Sequence, residues 1–307
     1  MAKKDKRKDE EFSAGGSRAI NKFRLSDAIM MLVIIVLCLT CIVPFIHLAA
    51  KSISSNSAVV AKQVFFWPVD ITFETYGTLF KDGTMVRSFV YSVIITGIFT
   101  VLGMIACTCA AYPLSKKRLK GRSFFTFILM FPMYFAAGMI PTYLLFNDLH
   151  LIDTPWVLIL PLIYSPYNML IMKTYFQSSI PDSLEESAFL DGATNFQILG
   201  KIVLPLSKPI IATLSLFYAV GRWNAFADNM YYIKSDELKT VQYKLYQMVA
   251  SATEAQTASL SEASAAQTTP EVLQAASVMF VTIPIICIYP FIQKYFVKGI
   301  MIGAVKG

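Results

Sequence analysis

Five stretches of this 307-residue chain, at 28–50, 88–115, 123–147, 154–172 and 272–293, contain no Asp, Glu, Lys or Arg. Each is close to or longer than the ~20 residues a helix needs to cross a bilayer. Inside hydrocarbon a segment must satisfy its own backbone hydrogen bonds, and an apolar run of this length does so as an α-helix. A polytopic, all-α membrane protein is therefore the expected fold class. A sixth candidate begins after Lys208 and is charge-free only over 209–221. It continues as RWNAFADN, which sets Arg222 near the far interface, where a long cationic side chain can snorkel. A buried or re-entrant segment is the alternative there.

Charge sets the orientation. Lys3, Lys4, Lys6, Arg7, Lys8, Arg18, Lys22 and Arg24 crowd the first segment, and SKKRLKGR follows the second span, whereas the NDLHLID turn after the third has no Lys or Arg. The positive-inside rule places the arm and SKKRLKGR in the cytoplasm. Six spans then return both termini to that side, and Lys294, Lys298 and Lys306 of the tail agree; five would not. The expected organisation is a basic cytoplasmic arm (1–27), a six-helix membrane domain (28–296) and a cytoplasmic tail (297–307). The first span, despite the basic arm before it and HLAAKS at its end, is longer than a signal core and is read as a retained helix.

Composition excludes several classes. Hydrophobic residues make up 55% and charged residues 15%, which a soluble domain does not show. The net charge of +7 belongs to topology, since no basic patch is interleaved with aromatics as a nucleic-acid surface needs. Cys38, Cys41, Cys107, Cys109 and Cys287 all fall within spans, so none is an extracellular staple. The Cys38/Cys41 pair lacks His or acidic partners and reads as packing; His47 and His150 stand alone. No metal site is expected. There is no G-x-x-x-x-G-K-[ST] and no Ser/His/Asp or Cys/His constellation facing water, so the chain itself is not expected to be an enzyme.

Two loops face outward in this scheme. Residues 51–86 contain VFFWPVDITFETY, which suits an interfacial helix and a small cap. Residues 228–271 carry Tyr231, Tyr232, Tyr243 and Tyr246, either contacts for a sugar ring or a protein, or ordinary interfacial tyrosines. The middle of that loop, SATEAQTASLSEASAAQTT, reads as mobile or loosely helical.

The cytoplasmic loop at 181–209 is the feature that membrane residence alone does not explain. It reads as two short helices with a hinge: Pro181 precedes the first, Asp182 or Ser183 caps it, Gly192 turns, and Thr194 or Asn195 caps the second. On the second, Phe196, Leu199, Ile202 or Val203, and Leu206 form an apolar face to lie under the bundle. On the first, Glu185, Glu186 and Asp191 project beside Ala188, Phe189 and Leu190, a knob with an acidic rim suited to a partner's groove; a solvated amphipathic connector is the bland alternative.

Glu186-Ser187-Ala188 is followed by Asp191-Gly192, with the glycine reached after three intervening residues, and after nine more intervening residues comes Ile202-Val203-Leu204-Pro205. This order resembles the EAA loop of binding-protein-dependent ABC importer permeases. Ser187 is the one departure, standing where that family usually has alanine. AYPLSKKRLKGR, MIPTYLLFNDLHLIDT, GRWNAF and IYPFIQKYFVKGIMIGAVKG extend the resemblance to carbohydrate-importer permeases over about residues 89–307. Within that family the chain is similar to the second permease of the maltose system, and to permeases for complex oligosaccharides of Gram-positive bacteria.

The resemblance implies a type I ABC importer permease with six transmembrane helices in the plasma membrane. Its partners would be a sister permease, two ATPase subunits that bind ATP and Mg, and an extracellular solute-binding lipoprotein; this chain itself would bind no cofactor. Glu185, Glu186, Ser187, Ala188, Asp191, Gly192, Ile202, Leu204 and Pro205 would couple to the ATPase. Gly299, Gly303 and Lys306 would reach toward it from the tail. Polar and aromatic positions that could line a pathway are Tyr164, Tyr167 and Asn168 around Pro166, with Tyr218, Trp223 and Asn224; helix packing is the alternative for each. Importers of amino acids, peptides or polyamines share the EAA loop. An ion-coupled transporter would need mid-span carboxylates, and an intramembrane enzyme would need a catalytic pair; neither is present.

Overall fold

The computed structural model describes residues 25–258 and 270–304, with side chains placed over 27–251 and 270–290. The arm at 1–24, residues 259–269 of the long loop and the last residues 305–307 lie outside the described residues. By internal packing the chain divides into residues 1–47 and 48–307. In the first unit the described residues belong to helix α1 (Leu25–Ser52), whose apolar side chains from Ile29 to Ile46 are all exposed. Such a surface suits a helix whose solvent is lipid.

The second unit takes up the end of α1 and adds two short helices, α2 (Asn56–Val60) and α3 (Glu74–Asp82). The Ser55 hydroxyl caps α2 by accepting from the Ala58 N–H at 3.3 Å. Gly83, at φ +68, ends α3 and turns the chain directly into α4 (Thr84–Ser115), a 32-residue apolar helix. The segment expected to form a small cap at 51–86 holds α2 and α3, joined by turns and bends in which Lys62 and Asp70 take positive φ.

The next three spans are all broken. The charge-free run at 123–147 forms α5 (Arg122–Tyr134) and α6 (Met139–Asp148), bent by 112°. Absence of charge does not mark the break; Pro132, Gly138 and Pro141 are its local signals. Gly138 takes φ +86, ψ 170, a region that residues with a Cβ avoid, and the chain between the two helices is extended at Phe135. Residues 155–162 make two 3₁₀ turns before α7 (Pro166–Ser179), with a 48° bend between them. Pro166 fits the first position of α7, where its missing N–H costs nothing, and the Ser165 hydroxyl accepts from the Asn168 N–H at 3.3 Å.

After α7 come α8 (Asp182–Leu190), α9 (Asn195–Ile198), a π turn over Leu199–Val203 and α10 (Leu204–Leu206). An 84° bend then leads into α11 (Lys208–Asn224). The chain continues through α12 (Ala227–Tyr232), a 3₁₀ turn over Asp236–Leu238 and α13 (Val241–Ala258) to α14 (Pro270–Ala304). Among the described residues three helices are long and apolar enough to cross a membrane, and each bent pair counted as one span brings the total to six. Among the described residues there is no strand, only a single bridge between Ser54 and Ile71.

The core sits where α4 packs against α7 and α11. Cys107 and Ala111 of α4, Met169, Met172 and Phe176 of α7, and Leu214 of α11 meet there fully buried. Gly103 is what lets α11 approach: a Cβ at that position would lie 2.7 Å from the Tyr218 ring. A second cluster joins α3, α4, α13 and α14 through Leu79, Met85, Val241 and Val281. The Ser92 hydroxyl accepts the Val241 N–H there at 2.8 Å.

At the far end from α8, the LIDT turn is fastened to the α12 end. Asp153, at φ +60, accepts from the Lys234 and Ser235 N–H groups at 2.9 and 2.8 Å and from the Ser235 hydroxyl at 2.6 Å. These bonds, the Ser235 hydroxyl first, hold its carboxyl below the usual carboxylate range. Tyr232 at the end of α12 packs into this corner, 5.1 Å edge-on from Phe146.

Candidate functional site

The segment between α7 and α11 folds as the two-helix elbow its sequence predicts. Pro181, extended at φ −62 and ψ 133, starts α8 without a side-chain cap, so neither Asp182 nor Ser183 acts as the cap. Asp182 and Glu185 instead place negative charge in the first turn, where the helix dipole favours it. At the other end the Gly192 N–H donates to the Phe189 carbonyl (3.0 Å) and the Ala193 N–H to the Ala188 carbonyl (2.9 Å). That is a Schellman ending, and Gly192 supplies its left-handed residue at φ +81. Thr194 then opens α9 with a reciprocal capping box: its hydroxyl accepts the Gln197 N–H, and the Gln197 side chain accepts the Thr194 N–H at 2.9 Å.

The elbow offers an outer surface of unusual character. Leu190 is 90% exposed and Phe196 87% exposed, on either side of the exposed Asp191-Gly192 turn. Glu186 and Ser187 are exposed beside them, the Ser187 hydroxyl donating back to the Ser183 carbonyl at 2.9 Å. Ala188 and Ile202 are half-buried against the core, Leu204 is half-buried, and Pro205 is exposed.

Two expectations are corrected. Glu185 does not project: it is 6% exposed and forms an ion pair with Lys116 at the end of α4. Phe196 and Leu206 do not lie under the bundle; Ile198, Ile202 and Val203 do, with Leu199 partly covered. The π turn over Leu199–Val203 adds a residue to one turn and rotates the residues after it, so a uniform helical period misassigns Leu206, while Phe196, ahead of the turn, faces away from the buried Ile198.

Sequence reasoning also missed what the SKKRLKGR loop does beyond setting topology. Three consecutive residues grip the elbow: Lys116 pairs with Glu185, Lys117 with Asp182 at 3.0 Å, and the Arg118 guanidinium donates to the Asn195 side-chain oxygen at 2.6 Å while lying 4.1 Å over the Phe189 ring. Lys116 also sits 4.7 Å over the Tyr112 ring. The hydrogen bond from Lys117 holds the Asp182 carboxyl below its ordinary range. Opposite signs in the two segments were the only available signal.

The expected pathway residues do not form one group. Asn168 and Tyr218 are buried and share a cavity of about 210 Å³ with Ser165 and Arg222. Trp223 and Asn224 line a separate, apolar cavity of about 290 Å³ with Phe89 and Pro284. Tyr218 and Arg222 are one turn apart and share a face of α11, whereas Trp223 is rotated away from it. Trp223 packs edge-on against Phe89 at 5.5 Å. Tyr164 donates to the Leu129 carbonyl at 2.9 Å, and Tyr167 is exposed. In the tail, Gly299 and Gly303 continue α14, and Lys306 lies outside the described residues.

Arg222 does not snorkel either. It is 3% exposed and makes a two-armed pair with Asp228, one arm at 3.0 Å, while also donating to the Leu158 carbonyl at 3.0 Å. The charge is neutralised within the fold, six residues further on, which is cheaper than exposing it to hydrocarbon.

Residues 100–302 match the family described as binding-protein-dependent transport system inner membrane component. The polygalacturonan/rhamnogalacturonan transport system permease protein YtcP of Bacillus subtilis (strain 168) is 39% identical over 287 residues, covering 93% of this chain and all of that one. The protein LplC of the same organism is 39% identical over 267 residues, 87% of this chain and 90% of that one. A chain from the crystal structure of a bacterial ABC transporter that imports the acidic polysaccharide alginate is 35% identical, with a TM-score of 0.79 over 89% of this chain and 98% of that one.

Proposed function

This chain belongs to the binding-protein-dependent transport system inner membrane components and is a multi-pass permease subunit of an ABC importer of oligosaccharides; on that premise we propose that it carries acidic oligosaccharides and that the 181–209 elbow couples it to ATP hydrolysis by separate subunits. Two ATPase subunits, holding ATP and Mg, draw together on the cytoplasmic side and push on the elbow. A binding protein outside delivers the sugar. A sister permease completes the pathway.

The observation that carries the coupling reading is the elbow's outer surface. Leu190 and Phe196, both large and almost wholly exposed, flank a tight Schellman turn with Glu186 and Asp191 beside them. Apolar groups presented to water on a rigid, capped support are what a partner's groove selects. Glu186 is the residue assigned the charge-assisted contact with the partner, because Glu185 is already consumed by Lys116.

The need for a sister chain follows from volume. The two cavities lined by pathway candidates are about 210 and 290 Å³, below the range of roughly 300–1,000 Å³ typical of a small-ligand pocket. Two such chains facing each other would enclose an oligosaccharide. The acidic class of cargo is supported by the two relatives named for polygalacturonan and alginate. It also accords with charge-free stretches at 88–115 and 154–172 that hold no carboxylate to repel an anionic sugar.

The test is uptake by cells and by the purified complex. Glu186→Ala should abolish uptake of oligogalacturonate while membrane insertion persists, since truncating one side of such a contact costs about 2–5 kcal/mol. Normal cargo-stimulated ATP hydrolysis by the variant complex would overturn the coupling role. Uptake of neutral oligosaccharides with no competition from oligogalacturonate would overturn the cargo class.

A further inference from the structure

α4 packs along α7 and α11, yet its backbone barely approaches α8 or α9. Below the α4 end, a cleft of about 630 Å³ separates Tyr112, Pro113 and Leu119 from Phe196 and Leu199 of the elbow. Besides the apolar core that Ile198 and Val203 share with α4, the polar contacts that cross to the elbow come from three consecutive residues just past the α4 end. Lys116 reaches Glu185 in the middle of α8, Lys117 reaches Asp182 at its start, and Arg118 reaches Phe189 near its end and Asn195 at the start of α9.

We propose that Lys116, Lys117 and Arg118 are a latch that transmits movement of the elbow to α4, with Lys116–Glu185 as its principal bond. This rests on the reading of the elbow as the coupling joint. The geometry favours transmission over simple stapling for three reasons. First, the grips are distributed along the elbow, so rotation of either short helix pulls on the loop. Second, the loop follows α4 directly: Ser115 is the last helical residue, and Lys116, where the chain turns extended (φ −84, ψ 129), keeps its N–H bonded to the Pro113 carbonyl at 3.1 Å. Third, α4 is the helix on which both α7 and α11 pack, so its displacement reaches the pocket that holds Asn168 and Tyr218.

The three grips differ in weight. Lys117 and Asp182 are exposed, and an ion pair in water contributes little. Lys116 and Glu185 are largely removed from solvent, with side chains 13% and 7% accessible, and the Tyr112 ring beneath the ammonium leaves the pair with few alternative partners. Glu185 and Glu186 therefore divide the labour: one faces inward to α4, the other outward.

The test uses the complete transporter, purified with its partner subunits and reconstituted in vesicles. It compares oligogalacturonate imported per ATP hydrolysed, with complex yield as a control for folding. The paired neutral variant Lys116→Met with Glu185→Gln leaves no buried charge unpartnered. It should assemble normally but import about tenfold less sugar per ATP, the size of effect expected for a desolvated charge pair. The exchanged pair Lys116→Glu with Glu185→Lys should recover most of that ratio, which a packing role would not produce. A wild-type ratio in the neutral variant overturns the latch. Should that variant fail to assemble, Arg118→Gln, at an exposed grip, decides: an unchanged ratio overturns the proposal and a reduced one supports it. Glu186→Ala measured in parallel separates the two ideas, because a loss of coupling there with none at Lys116 leaves the elbow's role standing and removes the latch.

Discussion

Arg222 is the residue at which local chemistry and membrane rules compete. A cation at the end of an apolar run is ordinarily assigned to the headgroup region. Here Asp228 and the Leu158 carbonyl receive it inside the protein, closing the turn from α11 to α12 and fastening it to the broken chain ahead of α7. Removing one member of such a pair leaves a buried charge uncompensated. Arg222→Met should therefore destabilise the purified complex by about 3–5 kcal/mol, read as a lower midpoint of thermal unfolding in detergent. Arg222→Met combined with Asp228→Asn should be less damaging than Arg222→Met alone, and equal damage would refute the account of the pair. Glu185 offers a parallel. Both charges are buried and paired, and in both the partner lies in a segment whose own sequence reads as an ordinary charged loop.

The elbow shows which parts of an element are legible. Gly192 between two capped helices predicts a left-handed turn, and the turn is there at φ +81. The Thr194-x-x-Gln197 capping box is equally readable, because each bond is local. The π turn at Leu199–Val203 is not, since it depends on how Ile198 and Val203 seat in a core built by α4 and α7. The same division holds for the third span, where Pro132, Gly138 and Pro141 allow a break in a run of 25 uncharged residues but do not give its 112° angle. A Cβ at residue 192 would meet nothing within 4 Å, so the cost of substitution there is backbone strain rather than collision. Gly192→Val should abolish uptake without loss of membrane insertion, and Gly192→Asn, which tolerates positive φ, should retain much of it. Equal transport by both variants would show that the turn is not required.

At the scale of the molecule, the six spans and the placement of the elbow at one end make orientation the deciding question. The expectation is that the elbow lies in the cytoplasm, and it can be checked directly. In a variant whose only cysteine is Leu190→Cys, a membrane-impermeant maleimide should label inverted vesicles and spare right-side-out ones. The reverse pattern would remove both the coupling reading and the latch. Exposed apolar surface persists along α1, on the outer faces of α4 and α5, and on α14 up to Tyr289. Lipid suits such a surface, and the sister chain proposed above would cover part of it.

By itself the sequence determined the number of apolar runs, their helical character, the charge asymmetry and the bend at Gly192, because each follows from transfer free energy or from backbone sterics within a few residues. Only the tertiary structure decided which of two adjacent glutamates faces inward, where Arg222 places its charge, which face of α9 and the turn after it is covered, and that Asn168 and Trp223 belong to different cavities. Those outcomes depend mostly on groups far apart in the chain, such as Lys116 with Glu185, 69 positions away, and Arg222 with the Leu158 carbonyl, 64 positions away. The free energy of a buried pair exists only once both members have been taken out of water together, and no local pattern records that.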